Sequence, residues 1–287
     1  MPGTEPPESL RTVLRRKMRA RLSTLLAWYV ARGLLSPSFA YRLLRSGRSF
    51  QIPEPDHGMM AFEVLVRDDY HMSRRRLEAS DVVIDVGGHI GCFGLAAHAC
   101  GSRRIYSYEP FPDSFERLES NYAGLPGAEA VQAAVFRSDD KGPAELDHPG
   151  FATGGSVLFS PESTMEWVEG EIRPSHAVQA HKAPALALDD LLAPHSWVRL
   201  LKVDCEGSEF PILLTSRLLD RVDEIVAEVH ELPHDLFAKM IPAARVSGYD
   251  EYNLPVLSRF LDEQGFTVTS SSVSANVRLI QATRRPA

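Results

Sequence analysis

The sequence predicts an α/β protein built on a doubly wound, mostly parallel sheet of about seven strands with helices between them. Three observations carry that prediction. First, Val82–Val86 is a short run rich in β-branched residues that breaks into Gly87, Gly88 and Gly91, as a buried strand does when it turns sharply into a helix. Second, apolar runs recur at Arg104–Tyr108, Val198–Val203 and Val222–Val229, each ending in polar residues before a helical stretch. Third, Gly265–Ser270 and Asn276–Gln281 alternate as a closing antiparallel pair would.

Length and composition suit this architecture. The 287 residues are enough for one large α/β domain or two small ones, and 44% apolar with 24% charged residues is ordinary for a globular protein with a sizeable core. The net charge of −7 is uneven. Residues 1–50 hold ten Lys or Arg against two acids, and the remainder holds 21 against 36. An acidic core of this kind argues against a nucleic-acid partner, whose backbone needs clustered cations. The three cysteines (Cys92, Cys100, Cys205) form no C-x-x-C pair, so neither a disulfide framework nor a zinc motif is expected, and a reducing, cytoplasmic setting is.

Residues 1–10, rich in Pro and Glu, read as disordered. Leu14, Met18, Leu22, Leu25 and Tyr29 then fall at helical spacing, with Arg15, Arg16, Arg19 and Arg21 on other faces. The segment resembles a signal peptide, but its apolar run is about nine residues, Arg32 follows closely and no A-x-A site appears. It is also far short of the ~18 residues of a transmembrane segment. The expectation is a helical extension over residues 1–57, ending in the proline-punctuated linker at 51–60, followed by one domain over 58–287. The extension is expected to pack on that domain, covering the substrate mouth or forming a homodimer contact. Its rival roles are a membrane surface contact and docking on an acidic partner such as a carrier domain, the latter recognisable by salt-sensitive binding.

Ala61–Val66 is strand-like, and Asp68, Asp69, Tyr70 and His71 after it either line the site's entrance or form an ordinary polar turn. Strand Val82–Val86 and its glycines lead into a helix over about Cys92–Cys100, then strand Arg104–Tyr108 ending in Glu109-Pro110. A helix over Ser114–Tyr122 follows, capped by Asp113 or Ser114. Ala130–Phe136 reads as the third strand, with the polar turn Ser138–Gly142 after it. Residues 142–184 read as an insertion or edge hairpin, with strand-like pieces at Ser156–Phe159 and Ala177–His181. Gly154-Gly155-Ser156 in it is either a flap or a plain surface loop. Leu186–Leu192 is a strand end turning into a short helix. Strand Val198–Val203 leads into Asp204-Cys205-Glu206-Gly207-Ser208-Glu209 and a helix over Phe210–Leu219, with Pro211 in its first turn where the missing N–H is harmless. Strand Val222–Val229 brings Glu228, His230 and Glu231 to its tip, and a helical region runs on to about Phe260.

Ligands of such sheets sit at the carboxyl ends of the strands. The turn after Val86 lets a ligand approach the backbone, and the helix behind it would point unpaired N–H groups there. Glu109, at the next tip, is placed to accept two hydrogen bonds from a ribose diol. The dinucleotide pattern G-x-G-x-x-G fails, because its first glycine would fall on Val86, and Asp85 would repel a pyrophosphate. S-adenosylmethionine has no phosphate and carries an ammonium and a sulfonium, both of which favour a nearby carboxylate. Val135 to Asp139 are candidates to hold its adenine.

The segments IDVGGHIG, YSYEP, LALDDLL, LLKVDCEGSEF and IVAEVH, in that order, resemble the FkbM family of S-adenosylmethionine-dependent methyltransferases over about residues 80–282. The run Lys202, Asp204, Glu206, Gly207, Glu209 is the most specific part of the likeness. The resemblance implies a class I methyltransferase fold, a Rossmann-like seven-stranded sheet whose last strand is antiparallel, and methylation of hydroxyls on secondary metabolites or sugars. It implies that Asp85, Gly87 and Gly91 cradle the methionine part and that Glu109 holds the ribose. Gly88 stands where the family usually has alanine and His89 where it has asparagine, so His89 either lines the cofactor pocket or assists proton transfer.

Methyl transfer to a hydroxyl requires alignment of nucleophile, carbon and sulfur, and removal of a proton. Asp204 at the fourth strand tip and His230 at the fifth are the expected catalytic residues, His230 because histidine titrates near neutrality. Lys202, inside a strand, is expected to pair with a carboxylate. Asp204, Glu206, Glu228 and His230 could gather around a divalent ion, but no spacing specifies one, and none is expected. The acceptor is a small molecule, free or carrier-bound. The rival readings are an N- or carboxyl-methyltransferase on the same fold and a cofactor-binding module without catalysis.

Overall fold

The computed structural model describes residues 63–139, 145–149, 165–168, 171–174, 180–237 and 244–286. The N-terminal extension, most of the linker, the glycine loop at 154–156 and the strand expected at Ser156–Phe159 lie outside the described residues. Contacts divide the chain after Asp69. Before that boundary Glu63–Arg67 is a single π-helical turn, not the strand expected from Ala61–Val66. Arg67 closes it, reaching Glu63 Oε1 at 3.1 Å and Asp69 Oδ1 at 2.7 Å. Residues four apart meet around a helical turn, and that pairing overrides the local alternation.

From Tyr70 onward the elements are β1 (Val82–Val86), α1 (Cys92–Cys100), β2 (Arg104–Tyr108), α2 (Pro112–Tyr122), β3 (Ala128–Val131), β4 (Ala134–Phe136), β5 (Glu145–Pro149), β6 (Met165–Val168) and β7 (Glu171–Pro174). Then come β8 (Ala180–Ala187), α3 (Leu188–Leu192), β9 (Leu200–Val203), α4 (Glu209–Thr215), β10 (Glu224–His230), α5 (His234–Phe237), α6 (Leu254–Glu263), β11 (Phe266–Ser272) and β12 (Val277–Arg284). Seven strands form the main sheet in the order β11-β12-β10-β9-β1-β2-β3. β10, β9, β1, β2 and β3 are mutually parallel, and β12 runs antiparallel to both β10 and β11. The last strand is therefore the reversed one, as a class I methyltransferase fold requires, and it sits one place in from the edge.

All five residues of β1 are buried, as in a parallel strand covered on both faces. The order reverses at β1, with β2 on one side and β9 on the other, so the crevice at their carboxyl ends is the switch point where such sheets bind ligands. Register then decides which polar residues meet. Asp85 lies opposite Ser107 of β2 and Lys202 of β9. These three side chains form a buried polar row across the centre of the sheet.

Four sequence expectations are corrected. The third strand is two strands: Ala133 N donates to Val131 O in a tight turn, and β4 leaves the main sheet to pair with β8. α2 begins at Pro112 with Phe111 as its cap residue and no side-chain cap, because Pro supplies the helical φ and needs no partner for an N–H. α4 ends at Thr215, because Asp189 captures the backbone N–H of Arg217 and the hydroxyl of Ser216. The helical region after β10 resolves into α5 and α6, the latter capped by Asn253, whose carbonyl accepts from Val256 N at 3.0 Å.

Candidate active site

The turn after β1 spends its amides inside the protein. Gly87 N and Gly88 N both donate to Tyr108 O, at 3.0 and 2.8 Å, and Gly91 N donates to Gly88 O at 2.8 Å. His89 N donates to Glu109 Oε2 at 2.8 Å. These amides of the turn are thus engaged within the protein. Gly87 has φ +76, and a Cβ on it would stand 1.8 Å from the carbonyl oxygen of Asp204. The turn therefore packs its backbone directly on the tip of β9. His89 has φ +48, a left-handed conformation that histidine and asparagine adopt more readily than most residues.

Glu109 sits at the tip of β2, with half-buried Pro110 after it, and is 4% exposed. Its Oε2 accepts from His89 N, and its Oε1 accepts from Phe111 N at 3.0 Å. Burial raises its carboxyl from 4.5 to about 7, against the lowering effect of the two backbone donors. The folded protein thus keeps a proton that the unfolded chain has already released. The stabilisation this gives is complete below about pH 4.5 and is lost as pH rises to about 7, a change of about 3 kcal/mol. Urea unfolding at pH 5 and pH 8 checks this: Glu109→Gln should lack that part of the parent's slope, and an identical slope would contradict it.

The polar row beside this turn is tightly paired, with Asp85 Oδ1 held by the charge of Lys202 and by no hydrogen bond. Lys202 Nζ lies 3.3 Å from Asp85 Oδ1, donates to Gly87 O at 2.5 Å and to Val86 O at 3.3 Å, and lies 3.7 Å from Asp204 Oδ2. Ser107 Oγ donates to Asp85 Oδ2 at 2.9 Å and also contacts Tyr122 Oη at 2.6 Å. Asp85 is fully buried, so it acts on the turn through Lys202 and not by touching a ligand itself, which corrects the expectation of direct contact. The Asp85 and Asp204 carboxylates hold the ammonium's pKa above its ordinary value despite burial.

Asp204 is the more open acid, with 13% of its side chain exposed. Tyr70 Oη donates to its Oδ2 at 2.9 Å. Beyond it, Glu209 is fully buried and gathers the loop: it accepts from Cys205 N at 2.8 Å, from Gly207 N at 3.0 Å and from His230 N at 3.4 Å. His230 is 3% exposed, with Nδ1 3.3 Å from Glu209 Oε1 and Nε2 3.2 Å from Glu206 Oε2 and 3.9 Å from Glu228 Oε1. Burial lowers its pKa, but Glu209 and Glu206 win and hold it well above the ordinary value. The two acids thus favour the protonated ring, which holds their carboxylates together and works against the expected role of His230 as a neutral base. Glu206 reaches it from a left-handed backbone, φ +52. Ligand atoms of Asp204, Glu209 and His230 lie within 4.8 Å of one another, but the Glu209 oxygens in that group already accept backbone N–H bonds.

The structure therefore brings Gly87, Gly88, His89, Gly91, Glu109, Pro110, Asp204 and His230 to the carboxyl edge of the sheet, with Asp85 behind them. Val135 is not at that edge. It lies in β4, outside the main sheet and 6% exposed, because the chain turns at Gln132-Ala133, and those two residues hold the tip of β3. Of the four polar residues before the core, only Tyr70 reaches Asp204; Asp69 pairs with Arg67, and His71 is exposed. Ser107 and Tyr122 were not foreseen, and only the register of β1 against β2 shows what they do. The three cysteines are free thiols, and no helix among the described residues is long and apolar enough to cross a membrane.

Comparison with known proteins gives a family. Residues 85–267 match the model of the methyltransferase FkbM domain. Hexuronic acid methyltransferase AglP of Haloferax volcanii is 26% identical over 178 residues, which are 59% of this chain and 65% of that protein. Methyltransferase 1 of Beauveria bassiana is 29% identical over 51% of this chain and 64% of its own length. AMB antimetabolite synthetase AmbE of Pseudomonas aeruginosa is 28% identical over 59% of this chain but only 9% of its own. The chain thus spans less than two thirds of each of these relatives. Among solved structures, a precorrin-6y C5,15-methyltransferase from Geobacter metallireducens aligns with 77% of this chain and 89% of its own, at 15% identity and a TM-score of 0.40. With the domain model covering well over half of its residues, the chain belongs to the FkbM methyltransferase-domain family.

Proposed function

We propose that this protein is an S-adenosylmethionine-dependent O-methyltransferase acting on a hydroxyl of a sugar or other small metabolite, free or held on a carrier. The observation that carries the proposal is the acidic mouth at the tips of β9 and β10, where Asp204, Glu206 and Glu228 lie around His230. Carboxylates accept hydrogen bonds from hydroxyls and can take their proton. The family and the names of the relatives support the class of chemistry, and the hexuronic acid methyltransferase supports a sugar acceptor. The synthetase holds its similar region within a far longer chain, which supports an acceptor presented by a larger assembly.

The donor site follows from the same geometry. Each oxygen of Glu109 accepts one backbone N–H and keeps a lone pair for one of two neighbouring ribose hydroxyls. The turn at Gly87 to Gly91, with the amides of Gly87, Gly88, His89 and Gly91 already satisfied, suits a donor that brings no phosphate. Adenine then lies by Gln132-Ala133. S-adenosylmethionine supplies an electrophilic methyl on a sulfonium. Asp204, pinned at Oδ2, turns its other oxygen toward the acceptor and takes the hydroxyl proton, while His230 balances the charge of Glu206 and Glu209. The catalytic domain is proposed over residues 58–287, with residues 1–57 as an N-terminal extension to it.

The test is product analysis. Incubation with donor labelled on the methyl and a panel of neutral sugars and hydroxylated metabolites should release S-adenosylhomocysteine and give a methyl ether by NMR. A label found on nitrogen or in an ester would overturn the proposal.

A further inference from the structure

Tyr70 lies outside the matched family region and outside the main sheet, just before the 3-10 turn Met72–Arg74. It is nevertheless buried against the site. Its ring meets Phe93 of α1 edge-on, with centroids 5.5 Å apart at 86°, and Lys202 Nζ lies 5.9 Å from its centroid. Its hydroxyl donates to Asp204 Oδ2 at 2.9 Å, on the oxygen that Lys202 approaches from 3.7 Å. Asp204 Oδ1 has no hydrogen-bond partner among the described residues, and the side chain retains exposure. The other charged or titratable groups around Asp204 are Asp85 from β1, Cys205, Glu206 and Glu209 from the loop and α4, and Glu228 and His230 from β10. Among them only Tyr70 makes a side-chain hydrogen bond to Asp204.

We infer that Tyr70 is a positioning residue for Asp204: by fixing Oδ2 it aims Oδ1 at the sulfonium and the incoming hydroxyl. A carboxylate turns about its last torsion at little cost, and one hydrogen bond from a locked phenol removes that freedom. The ring is locked by burial between α1 and Lys202. Burial and the neighbouring carboxylates hold the phenol well above its ordinary pKa, so it stays a donor and does not compete as a base. A residue upstream of the family domain thereby completes the reacting end of the site. The inference rests on the donor placement proposed above.

The test uses the full-length protein and two ligands that differ in the charge at sulfur. Dissociation constants for S-adenosylmethionine and S-adenosylhomocysteine are measured by calorimetry for the parent, Tyr70→Phe and Asp204→Asn. Loss of general structure weakens both ligands alike, whereas loss of an aimed carboxylate weakens only the sulfonium. Asp204→Asn should shift the ratio of the two constants against S-adenosylmethionine by about tenfold, and Tyr70→Phe by about threefold in the same direction, in keeping with a hydrogen bond to a charged group. A ratio moved by Asp204→Asn but not by Tyr70→Phe would overturn the inference alone. A ratio moved by neither would place Asp204 away from the sulfur and overturn it as well. If the parent binds neither compound, the donor site itself is misassigned and the inference falls with it.

Discussion

Gly87→Ala is expected to destabilise the protein by about 3–5 kcal/mol and to remove measurable donor binding. Two costs add. An L side chain at φ +76 is strained, and the new Cβ would lie 1.8 Å from the carbonyl oxygen of Asp204, which is backbone and cannot swing aside. Relief requires parting the β1 turn from the tip of β9. That also pulls Gly87 O away from Lys202 Nζ and the two amides away from Tyr108 O. Urea denaturation gives the first quantity and calorimetry with S-adenosylhomocysteine the second. Gly88→Ala is the control. Its new atom would meet Leu118 Cδ1 at 2.8 Å, the far end of a flexible side chain, and Ser107 Cβ at 3.0 Å, with no backbone carbonyl in the way, so its effect should be smaller. Equal losses in the two variants would contradict this account of the turn.

Lys202→Met should cost about 3–5 kcal/mol, the usual penalty for leaving a buried charge without its partner. Asp85 is fully buried, and with Lys202 gone it would keep only the hydroxyl of Ser107. Gly87 O loses the Lys202 donor in the same step, while Val86 O keeps Asp204 N. The double variant Lys202→Met with Asp85→Asn removes the orphaned charge and should recover part of the loss. A single variant within about 1 kcal/mol of the parent would show the ammonium to be dispensable, since the penalty for an orphaned buried charge would be missing. Because the pair stands on adjacent central strands, its loss should also lower donor affinity through the turn.

Local signals in the sequence were legible where one stretch of chain decides its own structure. Val82–Val86 and Cys92–Cys100 have the bounds expected of them, because a β-branched run and its glycines need no distant partner to be recognised. The break between β3 and β4 was hidden, since Gln132-Ala133 contains none of the usual turn residues. The family resemblance indicated the fold and which acids face the site, but not what each acid does. Asp85 looked like a ligand residue until the register of β1 against β9 placed Lys202 beside it. Nor did the resemblance show that His230 lies buried between Glu209 and Glu206, which favour its protonated ring. Glu209, at the start of α4, accepts Gly207 N but also reaches back to Cys205 N and across to the His230 ring. Each of these depends on contacts between segments far apart in sequence, which no local pattern encodes.

Titration calorimetry on the parent and on Glu109→Ala tests the placement of the methyl donor most directly. The parent should bind S-adenosylhomocysteine in a 1:1 complex and give no heat with NAD or ATP. Glu109→Ala should weaken that complex by about 1.5–3 kcal/mol, the range for a hydrogen bond to a charged group. Affinity in the parent should also rise with pH up to about 7, as Glu109 gives up the proton that burial lets it keep. A phosphate-bearing nucleotide bound in its place, or a dissociation constant unchanged by Glu109→Ala, would contradict the account.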